Sequence, residues 1–310
     1  MISIYEFTEG AITRELPLVM ACGFFDGVHK GHQAVLQAAR AEAERNKGKA
    51  IALSFSPHPR SVLDPAQPVR LLTTENQKIR LFETYGLDGC VLLKFSRIIR
   101  EMEPEEFIHL LREKFPHLRE IVVGRNWRFG AGNRGDTELL EKCAAENHLN
   151  VTVVEPVLWQ EEPISSTRVR QAVESGELED IEFMLGRPFR VLGDVTHGLQ
   201  LGRRLGFPTA NIQPEDKLLP PPGSYATYVD IDRKTFLSAT YIGHRPTFNG
   251  NGGEQFLEVF ILDQDLHLYG KELEISFIKK IREEVKFDSP EELSKQIATD
   301  VEEARRILSG

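Results

Sequence analysis

Paired cysteines are missing from this chain. Its three, Cys22, Cys90 and Cys143, are odd in number and lack CxxC spacing, which argues against a disulfide framework or a zinc ribbon and predicts buried thiols in a reducing compartment. No apolar run reaches the roughly 20 residues that a membrane-spanning helix needs. The start, Met1 to Gly10, carries Glu6 and Glu9 where a secretory signal would be basic. Together these absences predict a cytoplasmic protein with no membrane partner. Blocks of like charge are lacking too: 38 Lys and Arg stand against 47 Asp and Glu, a net charge of −9, so a nucleic-acid stripe is excluded and any anionic substrate must be held by local design. There is neither an internal repeat nor a low-complexity tract. What remains is an ordinary globular composition, 41% hydrophobic and 27% charged over 310 residues, a length that suggests two domains. Nothing in the sequence speaks to oligomeric state.

The first half alternates short apolar runs with longer amphipathic ones, the signature of a parallel sheet with crossover helices. Strands are predicted at Leu18 to Cys22, Ala50 to Phe55, Gly89 to Leu93, Glu120 to Val123 and Val151 to Val154. Helices are predicted from His32 to Arg45, Thr74 to Tyr85, Pro104 to Phe115, Asp136 to Asn147, Ser166 to Glu174 and Leu178 to Leu185. Gly186-Arg187-Pro188 then stops a helix and bars its continuation, which puts a domain boundary between residues 1–185 and 186–310. Beyond it, glycine-rich turns separate short runs at Phe189 to Leu192, Tyr225 to Asp232, Ser238 to Ile242, Phe256 to Leu262 and Leu273 to Ile281. That pattern predicts an antiparallel barrel or sandwich. A last helix follows, with Ser289 as N-cap, Pro290 at N1 and Glu292 completing a capping box; Leu293, Ile297, Val301, Ala304 and Leu308 line one face.

The sharpest local signal is Gly23-Phe24-Phe25-Asp26-Gly27-Val28-His29-Lys30-Gly31-His32, directly after the first predicted strand and opening the first helix. In an open α/β sheet the carboxyl end of a strand faces the ligand crevice, and a helix N-terminus there offers free N–H groups to phosphate. Glycines allow close backbone approach, and His29 and His32 can donate hydrogen bonds to a phosphorus centre gaining charge. Two plainer readings stand beside this one. The histidines can cap the helix, and their spacing permits zinc, although no third ligand is evident. A second signal, Ile164-Ser165-Ser166-Thr167-Arg168-Val169-Arg170, joins hydroxyls at a helix start to an arginine that can hold a phosphate.

With these segments, the sequence resembles the HxGH nucleotidyltransferases, and among them the bacterial bifunctional riboflavin kinase/FMN adenylyltransferases, or FAD synthetases. The resemblance runs over nearly the whole chain: GFFDGVHKGH, SPHP at Ser56 to Pro59, VVGRNWRFG at Val122 to Gly130, ISSTRVR, and LGRPFRVLGDVTHGLQLGRRLGFPTANI from Leu185 to Ile212. It implies a Rossmann-like adenylyltransferase followed by a riboflavin kinase barrel with a C-terminal helix. The substrates it implies are riboflavin, FMN and ATP, the last with Mg2+. By the same resemblance His29 and His32 are catalytic and bind ATP phosphates. Gly23, Phe25, Asp26 and Gly31 belong to that ATP site, and Ser166, Thr167 and Arg170 close over it. Asn126 and Arg128 fall at flavin-binding positions. In Gly206-Phe207-Pro208-Thr209-Ala210-Asn211, Thr209 and Asn211 hold the kinase's nucleotide phosphate and metal through hard oxygen donors. Glu258 falls where the family has its catalytic base; as a lone charge in an apolar strand it is costly unless functional or solvent-facing.

Two features qualify the resemblance. Where the family reads NIG or SVG before RPTF, this chain has Tyr241-Ile242-Gly243-His244-Arg245-Pro246-Thr247-Phe248, near the riboflavin pocket of relatives. The departure leaves room for a weak kinase, or for a monofunctional adenylyltransferase; a non-catalytic flavin- or nucleotide-binding regulator is the third alternative. The other feature is Gly130-Ala131-Gly132-Asn133-Arg134-Gly135, which satisfies GxGxxG with Glu155 about 20 residues on, as a dinucleotide fingerprint would. The segment Gly124 to Phe129 separates it from its strand, so a mobile glycine loop near the flavin site is expected instead.

Overall fold

The structure, a computed structural model, describes residues 4–6, 16–56, 70–196, 206–214, 218–232, 234–244, 255–264 and 266–309, with the backbone alone for 4–6. They form two compact units, Met1–Ser166 and Thr167–Gly310.

The first unit is a sheet of β1 (Ile4–Glu6), β2 (Leu18–Cys22), β3 (Lys49–Ser56), β4 (Gly89–Lys94), β5 (Leu118–Gly124) and β6 (Asn150–Val154), in the order β1-β4-β3-β2-β5-β6. Strands β2 to β6 are parallel and β1 is an antiparallel edge. Because both faces of a parallel sheet are covered, its strands are continuously apolar, and alternate residues feed different cores. Leu18, Met20 and Cys22 pack with Phe107, Leu111 and Leu140. Val19 and Ala21 pack on the other face with Leu36, Ala39 and Phe82. All three cysteines are free and buried, as expected, and burial pushes the Cys22 and Cys90 thiols up.

The five predicted parallel strands are present to within a few residues. Three pieces carried no usable signal: the short edge β1, the one-turn helix Arg97–Glu101, and a hairpin of β7 (Leu158–Trp159) and β8 (Glu162–Pro163). Gln160 and Glu161 at its tip take φ of 52° and 64°, a backbone that hairpin turns normally reach with Asn-Gly. The glycine loop expected to be mobile is tied down. A bridge pairs Phe129 with Gly135, Ala131 N–H donates to Met102 O at 2.7 Å, and Arg134 is ion-paired with Glu103. A Cβ on Gly130 would lie 2.6 Å from the Pro104 ring, so its glycine serves close packing.

In the second unit, the helix Leu178–Leu185 ends on Gly186, whose φ of 67° makes it a left-handed cap with its N–H on Glu182 O. Then comes a closed antiparallel barrel of β9 (Phe189–Thr196), β10 (Ala210–Pro214), β11 (Gly223–Ile231), β12 (Lys234–His244), β13 (Gln255–Ile261) and β14 (Glu272–Glu283), ordered β10-β13-β12-β11-β14-β9. Strand β10, which was not among the predicted strands, begins inside the Gly206–Asn211 segment and pairs with both β9 and β13. The helix Pro290–Leu308 packs Val301, Ala304 and Leu308 on Ala226, Ala239 and Phe260, covering part of the barrel's outer wall. Ser289 Oγ accepts from Glu292 N–H, whereas the Glu292 carboxylate reaches the N–H of Asp288, so only half of the expected capping box forms. Also on this helix is buried Asp300, bonded by Arg282 Nε at 3.0 Å to both oxygens.

Candidate active sites

Numbered along the chain, the parallel strands run 3-2-1-4-5, so the strand order reverses between β2 and β5, where ligands bind beyond the carboxyl ends. The Gly23–His32 segment leaves β2 at that edge. Its backbone is strained at Phe25 (φ 52°) and Val28 (φ 40°), the latter a β-branched residue in the left-handed region. Gly23 leaves room for the Phe25 ring, whose Cζ would stand 3.0 Å from an added Cβ. The Phe25 ring meets His32 edge-on at 5.2 Å.

His29 is the N-cap of the helix Lys30–Arg45, its Nδ1 accepting from His32 N–H at 3.3 Å. The capping and phosphate readings therefore coexist: with Nδ1 used as acceptor, a neutral His29 keeps its proton on Nε2. The two imidazoles stack with centroids 3.7 Å apart. Gly31 makes this possible, because a Cβ there would crowd the His29 ring at 3.1 Å. Burial above all, then His29 and Lys78, hold His32 well below the usual histidine range, so its ring is neutral. Its buried Nδ1 has no hydrogen-bond partner among the described residues, a vacancy of the kind that clusters at functional sites.

Asp26 is fully buried, and its carboxylate accepts from Leu72 N–H, Thr73 N–H and the Thr73 hydroxyl, all at 3.1–3.2 Å. Thr73 Oγ1 in turn accepts from Gly27 N–H. Asp26 thus latches the HxGH segment to the start of the helix Glu75–Thr84, which Thr74 caps with a full capping box. Ser166 Oγ donates to Asp26 O at 2.9 Å. Thr167 and Arg170 follow on the helix Ser166–Ser175 in the second unit, Thr167 exposed and Arg170 half-buried.

Asn126 and Arg128 lie just beyond β5, at the same carboxyl edge as Gly23, and both are exposed. Arg128 pairs with Asp136 at 3.1 Å, and between them Trp127 stacks on Phe129 with centroids 4.6 Å apart. Of SPHP only Ser56 is among the described residues; the rest, with Gly198, Gly202 and residues 245–248, lies outside them.

On the barrel, Leu257, Val259 and Ile261 point inward and Glu258 outward. Register pairs Glu258 with Asn211 on one side and Tyr241 on the other, and directly opposed residues share a face. Thr209 Oγ1 donates to Glu258 Oε2 at 3.3 Å, and Asn211 is 7% exposed. Facing outward and belonging to a site are therefore compatible for Glu258, because Thr209, Asn211 and Tyr241 share its outer face. Tyr241, whose sequence signal was its departure from NIG, donates to Glu284 at 3.0 Å; burial first, then that bond, push its phenol up to about 12. The described residues contain no cluster of three or more His, Cys, Asp or Glu that would cage a metal.

A Rossmann-ordered sheet and a closed barrel, each bearing a motif set on one chain, define a two-domain ATP-dependent transferase. The family model for FAD synthetase matches residues 12–168 and that for riboflavin kinase matches residues 185–308. The chain belongs to the bifunctional riboflavin kinase/FMN adenylyltransferase family. It is 36% identical to the Escherichia coli (strain K12) bifunctional riboflavin kinase/FMN adenylyltransferase over 291 residues, 94% of this chain and 92% of that one. The Listeria monocytogenes protein of the same description is 36% identical over 293 residues, with the same coverage. A Streptococcus pneumoniae crystal structure described as a macrolide-efflux protein superposes with a TM-score of 0.84 at 29% identity, covering 95% of each chain. No helix among the described residues of the present chain is long and apolar enough to cross a membrane.

Proposed function

We propose that residues 186–310 phosphorylate riboflavin and residues 1–185 adenylylate the resulting FMN. The support that weighs most is two motif sets on one chain that carries both families, FAD synthetase over residues 12–168 and riboflavin kinase over residues 185–308. In the kinase, the Glu258 carboxylate takes the proton of riboflavin's terminal ribityl hydroxyl; that oxygen bonds to the γ-phosphorus of ATP, the γ-phosphorus–oxygen bond to ADP breaks, and FMN and ADP leave. Thr209 and Asn211 orient the nucleotide. Their oxygens suit a hard cation, and Mg2+ held there would neutralise phosphate charge.

In the adenylyltransferase, an FMN phosphate oxygen bonds to the α-phosphorus of a second ATP and the α–β bridging bond breaks, releasing pyrophosphate and yielding FAD. His29 and His32 donate to the charge that develops on the phosphates, in the preorganised manner of an oxyanion hole. Gly23, Phe25, Asp26 and Gly31 shape this loop around the nucleotide. The roles of Ser166, Thr167 and Arg170 at the ATP phosphates, and of Asn126 and Arg128 at the flavin, rest on the motifs. Three buried free thiols and a net charge of −9 agree with a cytoplasmic enzyme that does not act on nucleic acid.

The test is chromatographic separation of flavins after incubation with ATP, magnesium and either riboflavin or FMN. FMN and FAD from riboflavin are expected. FAD from FMN alone would confine catalysis to the first domain, and no conversion would leave a regulator.

A further inference from the structure

We propose that Lys78 is a phosphate-binding residue of the adenylyl-transfer site, a third cationic or donor group joining His29 and His32 at the polyphosphate of ATP and at the departing pyrophosphate. This rests on the adenylyltransferase reading of the first unit. Lys78 lies on the helix Glu75–Thr84 and is 6% exposed. An ammonium carries three donors, yet its one hydrogen bond among the described residues is to Ser54 Oγ at 3.4 Å. Ser54 Oγ itself donates to Phe24 O at 3.0 Å, so the ammonium lies at the carboxyl ends of β2 and β3, beside the HxGH loop.

The carboxylates that act on it, Asp26 and Glu75, do so from beyond ion-pair distance. Asp26, the buried acid nearby, is occupied by Leu72 and Thr73, and no ion pair of Lys78 occurs among the described residues. A buried cation without a direct ion pair is costly and persists where function requires it. Burial holds the Lys78 ammonium below the usual lysine range, with Asp26 and Glu75 acting in the opposite sense. Its charge reaches His32, where it opposes protonation. The lysine amine thus stands beside a neutral His32 that has an open Nδ1. A bound polyphosphate supplies the missing anion.

The test uses the full chain, with FMN formation from riboflavin as an internal control. Lys78→Met is expected to lower kcat/KM for FAD formation from FMN by about 10²–10³-fold and to raise the inhibition constant of added pyrophosphate at least about tenfold. FMN formation should not change. Removing an unpaired buried charge should also raise the thermal midpoint by about 2–4 °C, whereas a lysine serving only as structure would lower it. Unchanged FAD formation, or a midpoint that falls together with both activities, would overturn the proposal. So would Lys78→Arg, if folded and as inactive as Lys78→Met. Should His32→Ala abolish FAD formation while Lys78→Met does not, the lysine assignment alone fails; should His32→Ala be fully active, the adenylyl reading fails with it.

Discussion

The two candidate sites are built in opposite ways. In the first unit one contiguous segment, Gly23–His32, brings the histidines, the glycines and the latch together within a single loop and helix start, and strained backbone at Phe25 and Val28 fixes its shape. In the second, Thr209, Asn211, Tyr241 and Glu258 come from three strands and the segment before one of them, and meet because antiparallel register aligns them. A contiguous site depends on local conformation and on whatever holds the loop. A cross-strand site inherits its rigidity from the barrel.

That contrast can be broken experimentally, and the largest effect should come from Glu258. Glu258→Gln is expected to lower FMN formation from riboflavin by about 10²–10⁴-fold while FAD formation from FMN is kept; loss of both would show that the units do not work separately. His29→Ala should reduce FAD formation by about 10²–10³-fold and also cost about 1 kcal/mol of stability as a lost N-cap, read by flavin chromatography and thermal unfolding. Asp26→Ala leaves the N–H groups of Leu72 and Thr73 buried without their acceptor, which costs about 1–3 kcal/mol each. Its adenylylation should fall together with the thermal midpoint, as a latch requires and a phosphate contact would not. On the barrel, Tyr241→Asn should change the KM for riboflavin by about tenfold or less without shifting the midpoint comparably, because strand pairing survives the exchange.

The smallest expected effect is on pH dependence. His32 is neutral when folded and titrates near 6.5 when unfolded. The stability linked to it is therefore fully present above about pH 6.5 and is lost as pH falls below that value. His32→Asn should flatten the acid side of the curve of thermal midpoint against pH, and an unaltered slope would count against a buried neutral imidazole.

Much of this was legible beforehand. The buried parallel strands show as apolar runs, and Gly186 followed by Pro188 marks a helix stop. The candidate first-unit site was legible because its parts are adjacent in sequence. The missed pieces share a cause: β1 is too short, Gln160-Glu161 turns without turn residues, and β10 hides in a motif whose glycines and proline look like loop. Glu258 raised the right question, but facing outward reads as mere exposure until Thr209 and Asn211 are placed beside it. Lys78 gave no signal at all, since one lysine in an amphipathic helix looks like any solvated charge.

The sequence by itself determined the fold classes and the HxGH, PTAN and Glu258 positions, because hydrophobic period and contiguous motifs are properties of neighbouring residues. Only the tertiary structure decided that Asp26 is a latch, that His32 Nδ1 has no partner among the described residues, that Lys78 is buried without an ion pair among them, and that Tyr241 flanks Glu258. Burial and strand register are relations between residues far apart in the chain, and they exist only once it has folded.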